Sequence, residues 1–177
     1  MRPRPGEVLH FSEDPAITRF VPHVAPTARQ PEAYVWAVDA DRAPDYWFPR
    51  LCPRAMVSVV DSTSPADRER ILGPACERVH AIEYGWVKPF LDAELYAYRL
   101  PAAAFRPFGT PTHAHVATEP VEPLGPPEPV GDLLALHAAA GIRLRILENL
   151  WPYWDAVVAS SLAFSGIRLR NATPRPT

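Results

Sequence analysis

The eight residues VLHFSEDP, positions 8–15, set the reading of the whole chain. Val8 and Leu9 are aliphatic, His10 follows them directly, and Phe11, Ser12 and two carboxylates come behind. With Glu7 added, EVLHFS has the composition of a first β-strand, and Asp14 with Pro15 supplies the N-cap and first position of a single helical turn. A histidine inside such a strand is either a hydrogen-bonded core residue or the first member of a site. Which of the two holds depends on what the rest of the chain brings beside it.

The next extended run is AYVWAVD, residues 33–39, with Tyr34, Trp36 and Val38 predicted on one side. Residues 24–32 lack any period and are predicted as a loop, and ADRAPDYWFPR is predicted as a short helix or turn broken by its prolines. AMVSVVD (55–61) is a further strand, and STSPADRERILG carries a full set of helix limits in Ser64, Pro65 and Gly73. RVHAIEYGW (78–86) is predicted as a strand running into a short helix, while ELYAYRL (94–100) and THAHVATEPVEPL (112–124) are predicted strands. Helix returns in PVGDLLALHAAAG (129–141), followed by the strand IRLRIL. The longest helical run is predicted from Asn149 or Pro152 through AFSG, with Trp151, Trp154, Val158 and Leu162 on one face. Strands first and helices last indicate an α+β fold.

Composition narrows the function. The 177 residues suffice for one domain that buries about two-thirds of its unfolded surface, with an ordered core from about 7 to 172 between two proline-rich ends. A net charge of −2 and a pI near 6.3 leave no broad cationic surface, which argues against a duplex-DNA binder. Two cysteines, Cys52 and Cys76, without a secretory leader before them point to free thiols in the cytoplasm. No apolar run approaches the length that spans a bilayer, so no membrane partner is expected. The 23 prolines fix φ and delete donors throughout, so most helices must be short.

None of the strong local signatures of phosphate loops, dinucleotide folds, nucleophile elbows or zinc sites is present. What remains is His10 on the first strand, the aromatic strand around Trp36, and Glu119 between Thr118 and Pro120. VLHFSEDP resembles the opening strand of ADP-ribosyltransferase-like proteins, and AYVWAVDADRAPDYWF is similar to their second motif. LYAYRLP and HVATEPVEPLGPPEPVGDL resemble two later segments of the small rifampin ADP-ribosyltransferases. From residue 8 to 172 the chain also resembles a bacterial family of unknown function whose members open on LYHFSED and close on a segment here read as FSGIRLRNA, Phe164 to Ala172.

The transferase resemblance implies a short-stranded split sheet with C-terminal helices, NAD as donor, and an acceptor of unknown class. Breaking the nicotinamide N-glycosidic bond passes through a cationic, oxocarbenium-like ribose, which requires a nearby carboxylate. On this reading Glu119 stabilises the cation and His10 orients a ribose hydroxyl. Trp36 or Tyr46 stacks on nicotinamide, and Phe11 and Ser12 bring backbone groups toward its carboxamide. The strands of His10 and Glu119 are then expected side by side. Phe11 stands where the transferases carry glycine, and PAAAFRPFGTP holds no carboxylate where the rifampin enzymes place one.

Two other readings stay open. The first is a catalytically silent domain that binds a nucleotide or protein, with Arg143, Arg145, Arg168 and Arg170 as a phosphate groove or a solvated face. The second is a metal enzyme built on His113 and His115, completed by His10 or Glu119. Cys52, between Arg50 and Arg54, has no base partner in sequence and is expected to pack as a small residue.

Overall fold

The computed structural model describes residues 1–24 and 31–176, so all but the ends of the loop expected at 24–32 lies outside the described residues. The strands are β1 (Glu7–Ser12), β2 (Val35–Ala37), β3 (Arg54–Ser58), β4 (Arg78–Glu83), β5 (Tyr96–Pro101), β6 (Arg106–Phe108), β7 (Ala114–Ala117), β8 (Glu128–Pro129), β9 (Arg143–Leu147) and β10 (Ala163–Ile167). The helices are α1 (Pro65–Asp67), α2 (Val87–Leu91), α3 (Leu133–Ala139) and α4 (Trp151–Val158). The class is α+β, with short, largely antiparallel sheets. Two compact units emerge, each assembled from two stretches of chain: Met1–Trp47 with Glu94–Gly131, and Phe48–Ala93 with Asp132–Thr177. No helix among the described residues is long and apolar enough to cross a membrane.

The first unit holds two three-stranded antiparallel sheets, β1-β5-β8 and β2-β7-β6. Alternation along β1 sends Val8 into a cluster with Phe20, Val35, Ala37, Tyr98, Leu100, Ala117 and Val121, while Leu9 enters another with Val38 and Ala43. Both faces of β1 are therefore anchored, and a one-residue slip would move each set to the wrong face. The Tyr98 hydroxyl donates to the Asp14 carbonyl at 2.6 Å and accepts from Ile17 N–H at 3.1 Å, pinning the turn after β1.

The second unit is a four-stranded sheet in the order β10-β3-β4-β9, antiparallel except for the β4–β9 pair. Val57 and Val79 on one face meet Ile71, Leu72, Val157 and Leu162. Ala55 and Ala81 on the same face meet Leu150, Tyr153 and Trp154, so α4 covers this side. On the opposite face His80 packs with Phe48 and with His137 of α3, and Phe90 of α2 joins them. Each fully buried aliphatic here stabilises the unit by about 1.5–3 kcal/mol.

The helix limits at residues 64–73 are those expected: Ser64 Oγ accepts from Asp67 N–H at 3.1 Å, Pro65 leads the helix, and Gly73 has φ of +81°. The last helix departs from expectation. It ends at Val158, and AFSGI forms β10 instead. Ser160 Oγ bonds the Val157 carbonyl at 2.7 Å and Ser161 turns to Asp67, so two side chains compete with the helical ladder where it stops. Val157 rather than Val158 faces the core, and Leu162 reaches it from beyond the helix.

Candidate functional site

The geometry around His10 follows from how β1 meets its neighbours. Against β5 the strand pairs along its whole length, with His10 opposite Tyr98. Against β2 it makes a single bridge, where Leu9 and Val38 exchange two backbone hydrogen bonds of 2.8 Å. Beyond that bridge the backbones part, and the His10 side chain reaches the carbonyl that the ladder leaves behind: Nδ1 lies 2.8 Å from the Trp36 oxygen. The carbonyl only accepts, so Nδ1 carries the proton of this bond. Phe20 lies against the imidazole with centroids 4.6 Å apart and itself meets Tyr98 edge-on.

The sheet divides the other expected site residues between its faces. Ser12 shares the His10 face, is buried, and accepts from Asp14 N–H at 3.1 Å. Phe11 and Tyr46 pack on the opposite side, against Leu9, Val38 and Ala43. The Trp36 ring, alternating with buried Val35 and Ala37, also lies away from His10 and meets Tyr34 and Phe108 edge-on at 5.8 and 5.1 Å. His10 thus touches the backbone of Trp36 and not its indole. The indole N–H is buried without a hydrogen-bond partner among the described residues.

Glu119 sits exposed in the bend after β7, with no hydrogen bond or ion pair to its carboxylate among the described residues. The side-by-side placement expected for its strand and β1 is corrected here, because β2 lies between them. Register aligns His10 with Ala37 and Ala37 with His115, four residues before Glu119. Glu119 itself lies beyond the strand, two residues past the end of β7 at Ala117.

A model of DUF6886, described as a family of unknown function, matches residues 9–172. The chain belongs to that family. No curated protein and no solved structure matches it. His10, Trp36, Tyr46 and Glu119 all fall inside the DUF6886 match. The transferase resemblance rests on the motifs alone.

Several other polar side chains of this DUF6886 member have structural partners. His115 Nε2 lies 3.1 Å from Asp39 Oδ2, and Asp39 Oδ1 accepts the N–H groups of Asp41 and Arg42, so Asp39 caps the turn into residues 43–46. His113 instead contacts the Phe108 ring. Among the described residues no three His, Cys, Asp or Glu side chains converge as a metal site. Arg143 donates to the Leu72 and Pro74 carbonyls and Arg145 to those of Ile71 and Leu72, closing the helical segment that ends there. The alternating arginines of β9 thus cap a helix end. Burial pushes the Cys52 thiol up to about 12, leaving it a packed small residue.

Sequence reasoning missed a buried histidine pair. Arg78 Nε donates to His80 Nε2 at 3.1 Å, His80 Nδ1 lies 3.1 Å from His137 Nε2, and His137 Nδ1 reaches the Leu133 carbonyl at 2.7 Å. Read from Arg78, every proton along this chain points the same way, which fixes both tautomers. The one sequence signal was His80 inside the β-branched run of a central strand.

Proposed function

We propose that the protein is an NAD-dependent ADP-ribosyltransferase-like protein that transfers ADP-ribose to an acceptor, with the first unit as its split-sheet scaffold. One observation carries the reading: β1 and β2 part at His10, and the imidazole is held by the Trp36 carbonyl at that point. An imidazole fixed in orientation by that bond can position a ribose hydroxyl without moving a proton. Glu119, a carboxylate unpaired among the described residues, is the group to stabilise the ribosyl cation as the C1′–N bond breaks and nicotinamide leaves. On the imidazole's own face the neighbouring ring is Phe20, so a nicotinamide there would meet Phe20 rather than Trp36 or Tyr46.

A second reading, a silent nucleotide-binding relative, is favoured by β2 lying between β1 and the strand that leads to Glu119 and by Phe20 lying on the imidazole. Thermal-shift titration with NAD and measurement of released nicotinamide separate the two. The enzyme reading expects stabilisation by NAD, nicotinamide release, and a loss of release of about 100-fold or more in Glu119→Gln with stabilisation retained. Stabilisation without release supports the silent binder. Absence of both responses removes NAD from the account.

A further inference from the structure

Strand β10 is an edge of the second unit's sheet, bonded to β3 on one side only. Among the described residues, 163–167 make no backbone hydrogen bond outside that pairing. An open strand edge is a template for another strand, and natural edges are usually blunted by charge, proline or a bulge. The opposite edge follows that rule, since β9 carries Arg143 and Arg145. From Ser160 to Ile167, SSLAFSGI contains neither charge nor proline, and the strand stops only at Arg168 with its left-handed φ of +56°.

We propose that β10 pairs antiparallel with β10 of a second copy of this chain, on a two-fold axis at Ser165, joining two four-stranded sheets edge to edge. Ser165 is the central residue of Ala163–Ile167, so this register alone engages all five positions. It sets Ala163 against the second copy's Ile167 and Phe164 against the second copy's Gly166, a small residue facing a large one each time. Phe164 is 44% exposed and stands edge-on to Trp154, with centroids 5.5 Å apart. Trp154 in turn lies over Gly166, where an added Cβ would come within 2.8 Å of the indole. Across the axis each Phe164 therefore reaches the other copy's Trp154, and an aromatic ring opposite a strand glycine supplies the packing that glycine lacks. No like charges face each other.

A five-residue pairing is a small interface, so the dimer is reversible, with a dissociation constant of about 10 μM. Sedimentation equilibrium of the full chain across roughly 1–300 μM should follow a monomer–dimer curve, and Phe164→Lys should raise the dissociation constant at least about tenfold. In Ser165→Cys, oxidised glutathione should yield a disulfide-linked dimer, because the axis sets the two thiols opposite each other. Ser62→Cys, on an exposed turn, should not cross-link. The buried Cys52 and Cys76 contribute nothing to either result. A wild-type chain that stays monomeric throughout overturns the proposal, as does a Ser165→Cys protein that fails to cross-link. The cross-link decides the question even if Phe164→Lys does not fold.

Discussion

Replacing Glu83 with alanine tests how the second unit is closed. Glu83 ends β4 and is buried, and its carboxylate accepts three hydrogen bonds: Leu150 N–H at 2.9 Å through Oε1, and Thr173 N–H at 2.9 Å and Oγ1–H at 3.0 Å through Oε2. Leu150 is the residue before α4, so this bond satisfies one of the donors a helix start leaves open. Alanine strands two backbone N–H groups, at about 1–3 kcal/mol for each donor that is denied water. Leu150 N–H lies in the buried interior and bears the upper part of that range, giving a total of about 3–5 kcal/mol. For a chain of this length each kcal/mol moves Tm by about 2–4 °C, so the midpoint should fall by about 6–20 °C in calorimetry. Hydrogen exchange at Leu150 and Thr173 should accelerate together, because one carboxylate holds both. Glu83→Gln keeps one acceptor oxygen and should fall between alanine and wild type. A Tm within about 2 °C of wild type in the alanine variant would refute the reasoning.

Gly166→Ala should cost about 1–3 kcal/mol in urea unfolding, because the new Cβ meets Leu169 Cδ1 at 2.6 Å and the Trp154 ring at 2.8 and 3.1 Å. In the first unit Arg99 grips Glu128 through two nitrogens and Glu7 through a third contact at 2.7 Å. Arg99 holds the Glu128 carboxyl below its ordinary 4.5, and the Arg4 N–H, followed by Arg99, does the same for Glu7. Depressed carboxyls contribute stability above the ordinary value and lose it as pH falls through the folded one. The gap in Tm between wild type and Arg99→Met should therefore be full at pH 6 and shrink steadily below about pH 4.5.

Local signals were legible where a residue's own chemistry decides the backbone. EVLHFS is β1 to the residue, and the Ser64, Pro65 and Gly73 limits hold because capping and positive φ are local properties. β6 and β8 escaped because each is two or three residues long and contains a proline, so neither period nor propensity speaks for it. The overrun of α4 had a related cause: the apolar spacing continues through Leu162, and the serines that end the helix act through partners as far away as Asp67. The two-unit arrangement left no mark in composition, because the chain passes between units at residues 47, 93 and 131 and each unit contains both an early and a late stretch. Of the site, the sequence indicated His10 and the β2 strand that holds it. It did not indicate the intervening position of β2 between β1 and β7, since register is set by tertiary pairing, nor the Phe20 ring on the imidazole. The His80–His137 chain was hidden for the same reason, its members being 57 residues apart.

The most direct test is nitrogen-15 spectroscopy of the His10 side chain during titration with NAD. The free protein should show Nδ1 protonated, and NAD should shift the imidazole nitrogen resonances in a saturable way. An unprotonated Nδ1, or imidazole resonances indifferent to NAD at millimolar concentration, would contradict the account.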